Sequence, residues 1–416
     1  MKVIVLGAGV IGVSTAYFLA RDGHQVTVID RQPAAGLETS FANGGQVSAS
    51  HAQPWSNPAT LLKLASWLGR KDAPLYFRFS WDPAMWGFFL RFLSACRTGP
   101  SNANGLKALK LALYSRDTLA QLRTETGIQF DAVDRGILHV YRTNRDLDRA
   151  AAVADRFRAL GLATETLNRE ASIAMEPALG STQENLAGAI YSPGDLSGDA
   201  HAFTQALAGL AADAGVEFRM DTKILRLAQM GGRITGVLTQ YSMVTADAYV
   251  CALGSYSEPL LAGIGIRLPI YPTKGYSVTV PVTASNRAPH ISITDDDAKI
   301  VVSRLGDKLR IAGTAEFTGF NTLINAPRAR AVLDAGLRLF PGAMDAEGAE
   351  FWAGLRPLTP DGIPVIGGTK LSNLYLNTGH GTQGWTMGPG SGKALAEMIS
   401  GNSPAVDLSP YDAERF

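Results

Sequence analysis

The chain has 416 residues, of which 46% are hydrophobic and 18% charged, so we expect a substantial core and exclude global disorder. Its length predicts two domains, and a formal net charge of +1 provides no basic field for nucleic acid. Two distant cysteines, Cys96 and Cys251, exclude a disulfide framework and a cysteine-based zinc site, and they favour a reduced, cytoplasmic setting. We predict no bound metal and no membrane-spanning helix.

The N-terminal 30 residues predict a β-α-β unit. Lys2–Leu6 is a short apolar run rich in β-branched residues, which is typical of a buried parallel strand. Val10–Arg21 has helical spacing and is followed by Gly23, and His24–Asp30 predicts the second strand.

A glycine motif joins this first strand to the helix. Gly7-Ala8-Gly9-Val10-Ile11-Gly12 has the form G-x-G-x-x-G, in which the glycines permit a tight turn, a close approach to pyrophosphate and close helix packing. The helix N-terminus offers free N–H groups to the phosphates, and Asp30 at the end of the second strand is suited to bind ribose hydroxyls. The motif predicts a dinucleotide site without choosing between NAD and FAD.

The remaining elements are predicted from periodicity and turn residues. Predicted helices span 103–127, 145–160, 200–214, 327–340 and 389–399. Predicted strands lie at 136–142, 216–218, 248–253 and 374–376, with further strands within 223–237 and several antiparallel strands between 278 and 314.

Residues 56–97 are rich in aromatic side chains, including Trp67, Phe79 and Trp81, and two interpretations remain open. The stretch either forms part of the substrate-domain core or provides a surface that contacts lipid or a quinone. In the second interpretation the surface consists of Met85, Trp86, Phe88, Phe89 and Phe92, with Arg91 and Arg97 nearby.

Two loops favour FAD as the dinucleotide. The first, residues 38–48, is rich in small and amide side chains, and the second, residues 377–392, is a glycine-dense loop that leads into the last predicted helix. That helix N-terminus suits the flavin edge where negative charge develops on reduction, and a nicotinamide enzyme needs no such second loop. Beyond the glycine motif and Asp30, the predicted cofactor-binding residues are Arg31, Ser40, Asn43, Gly44, Gly45, Gln46, Ile224, Gly254, Gly379, Gly381, Thr382, Gln383, Gly384, Trp385 and Thr386.

These loops and three further motifs resemble the FAD-dependent D-amino-acid oxidoreductases, and most closely the small-subunit type of bacterial D-amino-acid dehydrogenase. The further motifs are YSPGDLSGDAHAFTQAL at 191–207, YPTKGYSVTVP at 271–281 and FWAGLRPLTPDGIPVIG at 351–367. The resemblance covers nearly the whole chain.

The resemblance implies a mixed α/β fold, in which a Rossmann-like FAD-binding domain is interwoven with a smaller antiparallel-sheet substrate domain. The FAD-binding domain is expected at 1–80, 195–262 and 352–416, and the substrate domain at 81–194 and 263–351. The implied reaction converts D-amino acids to 2-oxo acids and ammonia by hydride transfer to flavin N5. An electron acceptor other than oxygen, such as a quinone, is also implied, and this keeps open a peripheral contact with the inner face of the cell membrane.

Arg356 is the predicted anchor for the substrate carboxylate, because a dry pocket favours a bidentate cation and the resemblance implies an arginine at this position. The other predicted catalytic residues are Tyr271, Lys274, Tyr276 and His380, and each also has a structural interpretation. A tyrosine here binds the carboxylate or covers the pocket, and Lys274 holds a water molecule near N5. His51 is a weaker candidate for the border of the site.

Two rival functions remain. An enzyme of the same fold acts on secondary amines such as sarcosine, proline or hydroxyproline, as an oxidase or a dehydrogenase. A non-catalytic flavin-binding module belongs to a different class, and Arg356 together with the complete C-terminal loop argues against it.

Overall fold

The structure is a computed structural model of the chain, and it describes residues 1–61, 75–77 and 81–416. Trp67 and Phe79, which belong to the aromatic stretch, lie outside the described residues. Within the described part, no helix has the length and apolar character needed to cross a membrane.

The predicted N-terminal unit is present as β1 (Lys2–Leu6), α1 (Val10–Arg21) and β2 (Gln25–Ile29). It forms the centre of a six-stranded sheet with the order β19-β20-β13-β1-β2-β9, in which only the pairing of β19 with β20 is antiparallel. The other strands of this sheet are β9 (Glu217–Arg219), β13 (Ala248–Cys251), β19 (Val365–Gly368) and β20 (Leu374–Thr378).

Among the described residues, a second sheet has nine strands, is mostly antiparallel and has the order β18-β14-β17-β16-β15-β5-β7-β6, with β4 paired to β17. Its strands are β4 (Leu75–Phe77), β5 (Ile137–Tyr141), β6 (Glu165–Asn168), β7 (Gly188–Ser192), β14 (Tyr271–Pro281), β15 (Ser292–Asp295), β16 (Ile300–Leu305), β17 (Lys308–Phe317) and β18 (Glu350–Leu358). Two smaller sheets consist of β3 (Gln46–Val47) with β8 (Leu196–Ser197), and of β10 (Ile224–Met230), β11 (Arg233–Thr239) and β12 (Met243–Val244).

The helices that follow α1 cover these sheets. They are α2 (Pro83–Ala95), α3 (Thr98–Thr126), α4 (Asn144–Arg158), α5 (Arg169–Met175), α6 (Ala200–Asp213), α7 (Ser257–Ala262), α8 (Ala326–Leu339) and α9 (Gly384–Ile399). The expected mixed α/β fold is therefore confirmed. The domain boundaries stay a prediction, and two elements contact the domain to which they were not assigned. The strand β4 pairs with β17 of the expected substrate domain, and α3 packs against α1 and α9 of the expected FAD-binding domain in one hydrophobic core.

Two sequence predictions require correction. The last helix begins at Gly384 rather than near Pro389. The predicted start was too late because proline and glycine usually mark helix boundaries, whereas here Pro389 and the glycines before it lie inside the helix. The strand β18 was not predicted, since its residues Trp352-Ala353-Gly354-Leu355-Arg356-Pro357 lack alternating polarity. Its pairing with β14 from Thr279↔Glu350 to Tyr271↔Leu358 fixes it as a strand through tertiary context.

Two glycines allow α9 to pack closely on its neighbours. A Cβ atom at Gly390 would lie 2.5 Å from Cα of Ser115 on α3, and one at Gly392 would lie 2.8 Å from the backbone of Ser14 on α1. The backbone N–H of Gly390 also donates to the Ser115 hydroxyl at 2.9 Å. These contacts hold the C-terminal helix against the first helix of the nucleotide-binding unit.

We expect Gly390→Ala to lower the free energy of unfolding by about 1–3 kcal/mol, because the added methyl group overlaps the α3 backbone. Urea denaturation followed by circular dichroism measures the change. Gly209→Ala on α6 is the matched control, since a Cβ there meets nothing within 4 Å. We expect the control to raise stability by up to about 1 kcal/mol through helix propensity. Equal stabilities of the two variants would contradict the packing argument.

Candidate active site

The described residues enclose a cavity of about 1070 Å³ that extends from the N-terminus of α1 to Arg356 in the second sheet. Nearly all the predicted cofactor residues line it, drawn from the glycine motif, the segment 38–48 and the C-terminal loop. Gly12 and Gly379 are not among the lining residues. The cavity therefore brings together both ends of the chain, as the motif positions predicted.

The glycine motif has the geometry of a phosphate site. Gly7 has φ of +107°, and a Cβ there would lie 2.6 Å from the Ala252 carbonyl oxygen, so only glycine fits this turn. Gly9 is the N-cap of α1, which has no side-chain cap. A Cβ at Gly12 would overlap the Gly7 carbonyl, so Gly12 permits the helix to pack on the turn rather than contacting the cavity. The helix N-terminus faces the cavity with its positive dipole end.

Asp30 lies at the end of β2 on the cavity wall. Its carboxylate accepts hydrogen bonds from Ala8 N at 2.7 Å and Gln32 N at 2.8 Å, while burial raises its pKa. Arg31 beside it stacks on the Tyr256 ring at 4.0 Å and pairs with Glu38 at 2.6 Å. This edge of the cavity thus presents a fixed carboxylate suited to ribose hydroxyls.

The segment 38–48 connects the two sheets across the cavity. Ser40 accepts a hydrogen bond from Val10 N at 3.0 Å, which attaches the segment to the start of α1. At the other end, the Gln46 amide donates to Ser292 at 2.9 Å and Thr294 at 3.1 Å in β15. A Cβ at Gly44 would overlap Val301 of β16, so the backbone lies directly against the second sheet. The amide-rich composition therefore serves this connection as well as the cavity wall.

The C-terminal loop and the start of α9 form another wall of the cavity. Gln383 donates to His51 O at 2.8 Å, Ser48 N donates to Thr386 at 3.1 Å, and the Trp385 indole donates to Gly198 O at 3.2 Å. His380 lies within 3.1 Å of Ser391 Oγ, and burial lowers its pKa to about 3. His380 is therefore neutral at physiological pH, although it lines the cavity.

Arg356 projects from β18 to the cavity wall. Its Nη1 donates to Thr314 O at 2.9 Å, and desolvation lowers its pKa to about 10. A Cβ at Gly275 in the paired strand β14 would overlap the guanidinium, which therefore lies flat on that glycine. Within the described residues no carboxylate forms an ion pair with Arg356, so its remaining N–H donors are available to an anion in the cavity.

Of the predicted catalytic residues on β14, Tyr276 lines the cavity, whereas Lys274 and Tyr271 do not. The Tyr276 hydroxyl donates to Glu316 at 2.9 Å, and the Lys274 ammonium pairs with the same carboxylate at 2.9 Å while donating to Leu323 O. Tyr271 donates to Asp82 at 3.1 Å and packs against Phe317 in a separate hydrophobic cluster. The cavity geometry thus supports Tyr276 and gives no support to a water-holding Lys274 or a substrate-binding Tyr271.

Sequence reasoning named His51 only as a weaker candidate and did not select the polar cluster that surrounds it on the cavity wall. His139 of β5 stacks on His51, with ring centroids 5.6 Å apart, and both residues line the cavity with Asp296 and Lys299. His139 also contacts Ser50, which donates to the buried Asp195. The one signal in the sequence is a histidine at the centre of the otherwise apolar strand segment Ile137-Leu138-His139-Val140.

Three of the five side chains that the surface interpretation named, Met85, Phe88 and Phe92, are buried, so that interpretation is wrong for them. In α2, Met85, Phe88 and Phe92 are buried against Tyr271 and Phe317, as the core interpretation predicts. The other face of the helix exposes Trp86, Leu90 and Leu93, and Trp81 just before the helix is 87% exposed. Arg91 and Arg97 are also exposed.

A family model described as "FAD dependent oxidoreductase" (DAO) matches residues 2–398, which is nearly the whole chain. The chain belongs to this family of FAD-dependent oxidoreductases. The predictions of an enzyme and of FAD as its cofactor are thereby confirmed.

Two curated relatives of this DAO-family chain match it over all or nearly all of its length. A protein named D-amino acid dehydrogenase from Paramagnetospirillum magneticum is 52% identical over 100% of the chain and 99% of its own length. A protein of the same name from Dechloromonas aromatica is 52% identical over 98% of the chain and 99% of its own length.

Solved structures share the fold at lower identity. Glycine oxidase from Geobacillus kaustophilus has a TM-score of 0.78 and 24% identity, covering 100% of the chain and 99% of the oxidase. L-proline dehydrogenase from P. horikoshii has a TM-score of 0.77 and 19% identity, covering 100% and 97%. At these identities the likeness concerns the fold alone.

The residues present fit FAD. The uncapped start of α1 and the turn at Gly7 suit a pyrophosphate, Asp30 suits a ribose, and the N-terminus of α9 opens on the same cavity. We therefore expect these groups to hold the cofactor. Bound FAD supplies the capacity to accept a hydride, and the protein supplies orientation and electrostatics.

We expect Gly9→Val to yield folded but colourless protein, because the added side chain occupies the position where pyrophosphate approaches the backbone. A Cβ at Gly9 meets only Ser40 Oγ at 3.4 Å, an ordinary contact, so the fold should persist. The flavin absorbance of the purified variant, normalised to protein, measures cofactor content, and far-UV circular dichroism checks the fold. Gly209→Val is the control and should keep its flavin; a flavin-replete Gly9→Val would show that the phosphate site is elsewhere.

Proposed function

We propose that the protein is an FAD-dependent D-amino-acid dehydrogenase, which converts D-amino acids to 2-oxo acids and ammonia. In this proposal the Cα–H bond breaks with hydride transfer to flavin N5, and the imine product hydrolyses after release. The electrons then pass to an acceptor other than oxygen. The two 52%-identical relatives named D-amino acid dehydrogenase support the D-configuration and the dehydrogenase activity.

The observation that carries the proposal is the guanidinium of Arg356 on the cavity wall. It has one protein hydrogen bond, to Thr314 O, and no ion-pair partner among the described residues. A partly desolvated arginine with free donors is an effective receptor for a carboxylate, because its planar fork binds both oxygens. A non-catalytic flavin module has no need for such a group beside the cofactor cavity.

The remaining contributions of the chain are positioning and a dry environment. Tyr276 is almost fully buried and lines the cavity close to Arg356, whose guanidinium covers the neighbouring Gly275. His380 is neutral, so it adds no charge that would compete for the carboxylate. Holding the amino acid by its carboxylate orients the Cα–H bond, and orientation accounts for most of the catalysis expected of hydride transfer.

A second candidate function is oxidation of glycine or of secondary amines such as proline. Glycine oxidase and L-proline dehydrogenase share the fold, and both names describe amino acids that a carboxylate anchor also accommodates. An anaerobic absorbance titration with D-alanine, L-alanine, glycine, sarcosine and L-proline separates the candidates. Bleaching of the flavin by D-alanine in preference to the others supports the proposal, and preferential bleaching by sarcosine or proline would replace it.

We expect Arg356→Ala to raise KM strongly and to lower kcat, because the arginine both binds the carboxylate and orients the Cα–H bond. The loss in kcat/KM should correspond to roughly 2–5 kcal/mol, the usual cost of truncating one partner of a hydrogen-bonded charge pair. Arg356→Lys should recover part of the activity, since a point charge does not reproduce the fork. Steady-state kinetics with D-alanine and a dye acceptor measure both variants.

Flavin content is the control for this experiment and should be normal in both Arg356 variants. Near-normal kinetics in Arg356→Ala, or a loss of activity that follows loss of FAD, would contradict the role of carboxylate anchor.

We also propose that the exposed face of α2 contacts the membrane surface, where a lipid-soluble quinone accepts the electrons. Trp86, Leu90 and Leu93 follow helical spacing on that face and are 44%, 70% and 49% exposed. Arg91 and Arg97 are exposed on the same element and at its end, and they suit anionic headgroups. An apolar helix face flanked by arginines is typical of interfacial binding.

We expect reduced enzyme to reoxidise slowly in air and rapidly with a soluble quinone, followed by the return of flavin absorbance in a stopped-flow instrument. Hydrogen peroxide formed at the rate of the dye assay would contradict a non-oxygen acceptor. We further expect Leu90→Asp to reduce cosedimentation with vesicles containing phosphatidylglycerol. Met230→Asp, at a 75% exposed methionine of the β10–β11 hairpin, is the control and should bind vesicles as the unmodified protein does.

A further inference from the structure

We propose that His51 is the base that removes the ammonium proton of the bound amino acid, and that His139 is a positioning residue which holds the His51 ring. The inference rests on the proposed amino-acid substrate. It assigns a role to a histidine pair that lies outside the glycine motif, the flavin loops and the carboxylate anchor.

The chemistry requires a proton acceptor. An amino acid at neutral pH carries a protonated amine, and a hydride leaves Cα only when the nitrogen lone pair is free to form the C=N bond. In the proposed step the ammonium N–H bond breaks, the proton passes to a neutral imidazole nitrogen of His51, and the neutral amine remains. The Cα–H bond then breaks, its electron pair and hydrogen pass as hydride to the oxidised flavin, and the product is an iminium ion. The His51 proton afterwards leaves to solvent.

The two rings form a stacked pair on the cavity wall. Their centroids are 5.6 Å apart with an angle of 10° between the planes, and both residues line the cavity. His139 is 5% exposed. The single hydrogen bond found on the two rings, within residues 1–61, 75–77 and 81–416, joins His139 Nε2 to Ser50 Oγ at 2.8 Å. The nitrogens of His51 are therefore available to a ligand.

The contacts of Asp195 fix the tautomer of His139. This buried carboxylate accepts hydrogen bonds from Ala49 N, Ser50 N, Ser48 Oγ and Ser50 Oγ. Because the Ser50 hydroxyl donates to Asp195 at 2.5 Å, its oxygen accepts from His139, and Nε2 carries the proton. The chain Asp195–Ser50–His139 thereby holds the His139 ring in one orientation, against which His51 stacks.

The electrostatic surroundings keep the pair neutral, so the His51 ring is unprotonated before the substrate binds. Burial lowers the pKa of His51, and burial together with the neighbouring His51 lowers the pKa of His139 to about 4. Asp296 and Lys299 face both rings: the carboxylate raises each imidazole pKa, and the ammonium lowers it. Tyr141 also lines the cavity, and burial together with the neighbouring Asp296 raises the pKa of its hydroxyl.

Other groups near the cavity are less suited to the task. Burial would raise the pKa of Asp296, but the charge of the neighbouring Lys299 outweighs it and lowers that pKa, so the carboxylate is a weak base. It is also paired with Lys299 at 2.7 Å. His380 contacts Ser391 Oγ through one ring nitrogen, and burial lowers its pKa to about 3 without the opposing effect that Asp296 has at His51. His51 combines a free imidazole, an anionic neighbour and a position on the cavity wall.

The test is the pH dependence of flavin reduction by D-alanine, measured anaerobically in a stopped-flow instrument. We expect His51→Asn to lower the second-order rate of reduction about 10²–10⁴-fold at pH 7, the usual contribution of a general base. The defect should vanish at alkaline pH, where free D-alanine already carries a neutral amine. His139→Gln keeps an N–H donor for Ser50 and should show a smaller defect with the same alkaline recovery. His290→Asn, at an exposed histidine, is the control and should match the unmodified enzyme throughout.

Binding of benzoate, a carboxylate without an amine, gives a readout independent of turnover. Its perturbation of the flavin spectrum should be unchanged in His51→Asn, because no ammonium proton is involved. An unaltered rate of reduction at pH 7, or a loss that persists at alkaline pH in both His51→Asn and His139→Gln, would overturn the inference. If His51→Asn fails to bind FAD, the profile of His139→Gln decides. Failure of the unmodified enzyme to be bleached by any D-amino acid would instead refute the proposed function.

Discussion

The close packing of α9 between α1 and α3 is the constraint on which the site depends. The glycine motif and the C-terminal loop lie near opposite ends of the chain, yet both line one cavity. Gly390 and Gly392 bring the α9 backbone into contact with Ser115 and Ser14, at distances that leave no room for side chains. Since α1 begins at the glycine motif and α9 begins at the C-terminal loop, fixing these helices fixes both helix N-termini relative to each other.

The second sheet is joined to this assembly by hydrogen bonds between its strands and the segment 38–48. Gln46 reaches Ser292 and Thr294, Arg310 donates to Asn43 O, and Thr39 donates to Leu355 O next to Arg356. Each bond connects the segment after β2 to a strand that carries substrate-side residues. Hydrogen bonds of this kind favour one relative position of the two sheets, because an unpaired buried polar group is costly. Orientation of a substrate against a cofactor depends on that single position.

The sequence predicted the parts of the protein that depend on interactions between residues close together in the chain. The β-α-β unit, the glycine turn at Gly7 and the ribose-side Asp30 follow from short-range spacing, and the family motifs extended that reading to the C-terminal loop. The strand β18 and the helix start at Gly384 were missed, because pairing with β14 and packing against α1 override weak local patterns. The sequence named His51 as a weaker candidate, but His139 and its pairing with His51 were missed for the same reason. His51 and His139 are 88 positions apart (139 minus 51), and only the pairing of β5 in the second sheet brings them together.

The contact between Arg356 and Gly275 has a consequence for how this pocket can diversify. The guanidinium rests on a residue without a side chain, in a strand paired to its own, so any larger residue at position 275 displaces it. Binding of the substrate carboxylate thus depends on a backbone position in the second sheet that leaves room for the guanidinium. By contrast, the turn between β15 and β16, which carries Asp296 and Lys299, is a short hairpin connection on the same cavity wall. Connections between strands tolerate replacement far better than paired strands, so the substrate range can change at this turn while the requirement for a carboxylate persists.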